Sequence, residues 1–121
     1  MLKNILIVDD SAVMRSLLIS ALETLGNLNF VQAVNGFEAL RVLPRENIDL
    51  VLTDINMPDI NGLELLNFIR KNPLYEALPV FIISTEGSHR DIEKGLSLGA
   101  NEYLVKPFAP EQLAEMVKKY L

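Results

Sequence analysis

The chain contains no cysteine, which excludes both a disulfide framework and a thiolate metal site. Histidine is nearly absent: His89 stands alone in a polar loop with Gly87 and Ser88, where a histidine is ordinary surface. No apolar run approaches the length that crosses a bilayer. The opening, MLKNILIVDD, is too short and too acidic at its end for a signal peptide. These absences point to a soluble, cytoplasmic protein with no membrane insertion. Basic residues are also in deficit, 11 against 16 acids. The net charge of −5 argues against nucleic acid as a direct partner, because gripping a phosphate backbone needs clustered lysine and arginine. Linkers and low-complexity stretches are missing as well. The 121 residues therefore fit one domain, 1–121, and with 50% of them apolar it buries a core without staples.

What is present is a recurring pattern with a period of roughly 20–30 residues. A short apolar, β-branched run is followed by a polar junction and then a helical stripe. The runs are Ile5 to Val8, Phe30 to Val34, Leu50 to Thr53, Val80 to Ile83 and Tyr103 to Val105. All but the second are nearly continuous in hydrophobicity, as strands covered on both faces are. The second alternates and reads as an edge. The helical stretches are Ser11 to Leu25, Gly36 to about Leu43, Gly62 to Lys71, Asp91 to Leu98 and Pro110 to Tyr120. Ser88 is a candidate N-cap for the fourth, with Asp91 three residues on, and Gly99 closes it. Pro44 ends or distorts the second. The stretch RKNPLYE, 70–76, reads as a solvated connection.

Five strand-then-helix units imply an α/β fold with a doubly wound, five-stranded parallel sheet and right-handed crossovers. The leading arrangement is the flavodoxin-like (βα)5 order 2-1-3-4-5, whose ligand crevice lies where the winding reverses, at the C-terminal ends of strands 1 and 3. Asp9 and Asp10 follow the first run and Asp54 follows the third. Ser84 and Thr85 follow the fourth, Lys106 and Pro107 the fifth. Singly, each has an ordinary explanation: a helix cap, a turn, a loop hydroxyl, a solvated charge. Jointly they put three carboxylates, a hydroxyl and an ammonium on one rim. At ~4 Å and an effective dielectric near 20, each carboxylate pair repels by about 4 kcal/mol, so the cluster holds either a proton or a cation. Oxygen donors without histidine or cysteine point to a hard ion, Mg²⁺ with Mn²⁺ as the alternative. A carboxylate beside such an ion is also a nucleophile toward phosphorus.

Four stretches, ILIVDDSAVMR, LVLTDINMPDINGLELL, LPVFIIST and GANEYLVKPF, occur in order across essentially the whole chain. Through them it resembles a response-regulator receiver domain, specifically the chemotaxis-type single-domain branch. The resemblance implies Asp54 as phosphoacceptor, and Mg²⁺ held by Asp9, Asp10, Asp54 and the Asn56 backbone carbonyl. It also implies Ser84 as the switch hydroxyl, Lys106 as the phosphoryl contact, and Tyr103 as an aromatic that changes rotamer on activation. Lys106–Pro107 matches a cis peptide bond, and Pro58 and Gly62 shape the loop after the acceptor. Asn56 and Glu86 occupy positions that tune the lifetime of the phosphoryl group. Thr85 stands where the family usually has a small residue, and crowding there is expected to slow exchange. A fourth strand one residue longer would make Thr85 the switch hydroxyl instead.

As implied partners, a sensor histidine kinase or phosphotransfer domain donates the phosphoryl group, and an output protein of unspecified identity reads a surface made by the fourth helix, fifth strand and fifth helix. The expected state is a monomer or a weak phosphorylation-dependent dimer, catalysing nothing beyond its own phosphoryl transfer and autodephosphorylation. Two alternatives stand beside this. A degenerate receiver would act only by docking. A Mg²⁺-dependent aspartyl-phosphate phosphohydrolase would need a second acid where Asn56 stands. A flavin carrier on the same fold is disfavoured because Asp9 and Asp10 would repel its phosphate.

Overall fold

Apolar runs become strands in this chain because both of their faces are covered. In β1 (Lys3–Val8) the side chains of Ile5 and Ile7 enter one core cluster and those of Leu6 and Val8 enter the other. The computed structural model describes residues 2–121; Met1, the first residue of the domain expected over 1–121, lies outside the described residues. Among the described residues the remaining strands are β2 (Leu28–Ala33), β3 (Leu50–Thr53), β4 (Val80–Ser84) and β5 (Glu102–Val105). The helices are α1 (Ala12–Glu23), α2 (Gly36–Val42), α3 (Gly62–Lys71), α4 (His89–Ser97) and α5 (Pro110–Lys118). All strand pairs are parallel and the sheet order is β2-β1-β3-β4-β5, the doubly wound order expected.

Helices α1 and α5 cover one face of the sheet, with Leu18, Leu22, Leu113 and Val117 packed on Ile5, Ile7, Leu50, Leu52, Phe81 and Ile83. Ala39, Leu65, Leu66 and Ile69 of α2 and α3 cover the other, on Leu6, Val8, Val51, Val80 and Ile82. Each such leucine or isoleucine contributes about 1.5–3 kcal/mol on burial. The weakest cover is α4, in which only Gly95 is buried.

Several boundaries move by a residue or two. Ser11 caps α1 rather than beginning it, its side chain accepting from the Met14 N–H at 3.2 Å. Gly26 and Asn27, both at positive φ, make the turn beyond its C-terminus. Ser88 caps α4 as expected, with Asp91 as its reciprocal partner. One expectation is wrong. The 70–76 stretch is not simply a solvated connection: Arg70 donates to the Gly99 carbonyl, the Tyr75 carbonyl and Asn101 Oδ1, and Pro73–Tyr75 forms a short 3₁₀ turn. The guanidinium fork ties the end of α3 to the loop before β5.

Candidate functional site

Strand register places the acids. Val8 pairs with Thr53, so Asp9 and Asp54 leave the sheet side by side, and the ladder extends past the strand ends through the Asp54 N–H to the Val8 carbonyl at 3.0 Å. Asp10 follows on the exposed side. One carboxylate oxygen from each of Asp9, Asp10 and Asp54 lies within 4.8 Å of the other two. Ser84 pairs with Val105, and that brings Lys106 to the same rim; its bond to Pro107 is cis. The Lys106 ammonium sits 3.1 Å from Asp9 Oδ2 and 3.3 Å from Asp54 Oδ2, largely shielded from solvent.

The electrostatics are those of a site with charge to spare. Asp9 and Asp54 are buried. Burial raises the Asp54 carboxyl above its usual 3.8; the Lys106 ammonium opposes that rise and the neighbouring Asp9 charge adds to it. One lysine thus pairs with two of the three clustered carboxylates, and the converging donors are all hard oxygens. The residues fit a small divalent cation such as Mg²⁺. Asp54 is also held in place, since its Oδ1 accepts the Ile55 N–H at 2.7 Å and its carbonyl accepts the Thr53 hydroxyl at 2.9 Å. The start of α3 is pressed against it, so that a Cβ on Gly62 would lie 1.9 Å from the Asp54 carbonyl oxygen.

Around this centre, β4 runs one residue beyond the expected Ile83, yet the extra residue does not turn Thr85 inward as expected of a longer strand: Ser84 is fully buried and Thr85 is exposed. The Ser84 hydroxyl accepts the Glu86 N–H at 3.1 Å. Asn56 Nδ2 donates to Glu86 Oε1 at 3.2 Å, so the two expected tuning residues meet across the mouth of the site. The Tyr103 hydroxyl donates to the Glu86 carbonyl. Its ring lies against Gly95, where an added Cβ would come within 2.9 Å of it. Tyr103 therefore connects the site's rim to α4.

Two residues at the site escaped the sequence reading. Arg15 Nη1 donates to the Asp9 carbonyl at 2.7 Å, and its Nε donates to Gln32 Oε1 on β2 at 2.8 Å. The signal for Arg15 was electrostatic: a cation in the opening turns of a helix opposes the dipole and needs an acceptor elsewhere. Gln32, on an edge strand, carried none.

Comparison with known proteins agrees with this geometry. Residues 5–118 match the family described as the response regulator receiver domain. The chain is 38% identical over 119 residues to a chemotaxis protein CheY homolog of Campylobacter jejuni, covering 98% of this chain and 92% of that one. It is 36% identical to chemotaxis protein CheY1 of Helicobacter pylori, covering 98% and 96%. Among solved structures, chemotaxis protein CheY4 of Vibrio cholerae superposes with a TM-score of 0.90 at 31% identity, over the full length of both chains. A putative response regulator from Chloroflexus aurantiacus gives 0.93 at 32%, covering 99% and 98%.

Proposed function

The chain belongs to the response regulator receiver domain family, and from that membership we propose that residues 1–121 form one receiver domain that is phosphorylated on Asp54. The donor is a sensor histidine kinase or phosphotransfer domain, in a pathway of the chemotaxis type that its relatives' names carry. The observation that supports this most is the convergence of Asp9, Asp10 and Asp54 with Lys106 at the reversal point of the sheet.

In the transfer, the P–N bond of a phosphohistidine breaks as a bond forms between an Asp54 carboxylate oxygen and phosphorus. The leaving imidazole keeps the electron pair and takes a proton from solvent. Asp9, Asp10, Asp54 and the Asn56 carbonyl would hold Mg²⁺, which when bound neutralises charge on the phosphoryl oxygens. Lys106 turns from the carboxylates to a phosphoryl oxygen, and Ser84 donates its hydroxyl to another. Reversal is hydrolytic: water attacks phosphorus, inorganic phosphate leaves and the carboxylate is regenerated. Asn56 and Glu86, joined across the mouth, meter that water. No other substrate is turned over.

The switch follows from magnitudes. Charge-assisted hydrogen bonds from Ser84 and Lys106 contribute about 1.5–3 kcal/mol each. Moving a two-state equilibrium from 1:99 to 99:1 takes about 5.5 kcal/mol, which two such bonds reach only at the upper end of their range, so together they shift the equilibrium strongly without any wholesale refolding. Drawing Ser84 toward the phosphoryl group vacates space for the Tyr103 ring and breaks its hold on the Glu86 carbonyl. Helix α4, with little buried beneath it, then shifts, and the α4–β5–α5 surface presents a new face to an output protein. The test is intact-mass spectrometry after incubation with acetyl phosphate and Mg²⁺. One phosphoryl increment is expected, absent in Asp54→Asn. An increment that survives that substitution, or none at all in the wild type, overturns the proposal.

A further inference from the structure

We propose that Arg15 is a positioning residue that fixes the Asp9–Asp10 corner and so sets the affinity of the acidic site for its divalent cation. The inference rests on reading Asp9, Asp10 and Asp54 as cation ligands, and it adds a residue on which that reading does not depend.

Arg15 lies on the opening turns of α1, with one guanidinium nitrogen on the Asp9 carbonyl at 2.7 Å and another on Gln32 Oε1 at 2.8 Å. A guanidinium carries its donors in a rigid planar fork. Anchoring one donor on β2 therefore aims the other at the end of β1. The carbonyl it grips belongs to the peptide whose N–H is that of Asp10, so the direction in which Asp10 leaves the strand is set by this contact. Asp9 has side-chain anchors of its own: Oδ1 accepts the Ser11 N–H at 2.9 Å and Oδ2 meets Lys106. Asp10 is exposed, so its orientation relies on the backbone that Arg15 holds.

Charge alone argues the other way. A cation beside a cation site repels the incoming ion, so as a mere point charge Arg15 would weaken binding and its removal would tighten it. Positioning and simple electrostatics thus give opposite signs, and one titration separates them.

The experiment is calorimetric titration of MgCl₂ into the full chain at about 0.15 M ionic strength, where charges beyond ~8 Å are screened, with circular dichroism to confirm folding. Arg15→Met is expected to bind Mg²⁺ about tenfold more weakly, as on loss of a group that orients a metal ligand. Arg15→Lys keeps the charge, loses the fork and is also expected to weaken binding. Gln32→Leu changes no charge and touches neither acid; it is expected to weaken binding in the same direction by a smaller factor. At saturating Mg²⁺, phosphorylation by acetyl phosphate should recover in all three. Unchanged or tighter binding in Arg15→Met overturns the inference and leaves the site reading intact. Should that variant fail to fold, unchanged affinity in Gln32→Leu overturns it instead. A wild-type chain that takes up no Mg²⁺ removes both.

Discussion

Asp54 is asked to be buried and to be charged, and those requirements conflict. Burial and the adjacent Asp9 raise its pKa above the ordinary 3.8, while Lys106 and the Ile55 N–H pull it down without cancelling the rise. Between the unfolded and folded values the native chain holds a proton that the unfolded chain lacks. Stability therefore falls as pH rises through that window, and the destabilisation persists at neutral pH. Asp54→Asn keeps the shape and removes the charge. Without Mg²⁺ this variant is expected to melt above the wild type at pH 7, with the advantage shrinking as pH is lowered toward 3.8. Thermal scans in chelator from about pH 4 to 8 measure this. A lower Tm at pH 7 would show instead that the Lys106 contact outweighs burial and repulsion.

The elements hold the acids in place, and α3 does so by contact with backbone. Its first turn is closed by a reciprocal cap between Asn61 and Glu64, and its first residue, Gly62, abuts the Asp54 carbonyl. The demand on Gly62 is for space, and the atoms in the way are main chain that cannot rotate aside. Gly62→Ala gains up to ~1 kcal/mol of helix propensity. It is expected to lose about 3 kcal/mol or more to overlap, for a clear net destabilisation in urea melts and slower phosphorylation as Asp54 is displaced. A net change near zero would mean that α3 slides freely on the loop. The sequence foresaw glycine in this loop but not the contact that requires it. The strands were legible because runs such as Leu50–Thr53 are apolar on both faces. Whether Ser84 or Thr85 points inward was open in the sequence, and burial answers it: Ser84 is enclosed and Thr85 is exposed. The acceptors of Arg15 and Arg70 were illegible for a common reason. A guanidinium reaching for backbone carbonyls, in one case 29 residues away, leaves no periodic trace.

At the scale of the whole molecule, the site was readable because topology does the gathering. Once five parallel strands take the order 2-1-3-4-5, the residues after strands 1, 3 and 5 share a rim whatever their separation in sequence. The same fact would make cation binding there a property of the folded state alone: no unfolded chain brings positions 9, 10 and 54 within 4.8 Å of one another. A ligand that binds only the native state stabilises it by RT ln(1 + [L]/Kd), about 2.7 kcal/mol at a concentration of 100 Kd. With an unfolding entropy of about 2.1 cal/mol/K per residue, Mg²⁺ at that level should raise Tm by roughly 10 °C over the value in chelator. Asp10→Asn is the informative control, because Asp10 is exposed and its substitution spares the core. It is expected to fold normally and to gain only a small fraction of that rise. Matched ionic strength from NaCl should give the wild type little. An equal rise in Asp10→Asn, or from NaCl alone, would assign the effect to screening of a chain with net charge −5. A rise confined to Mg²⁺ and to the intact triad means that the ion is bound by these carboxylates, which repel one another until it arrives.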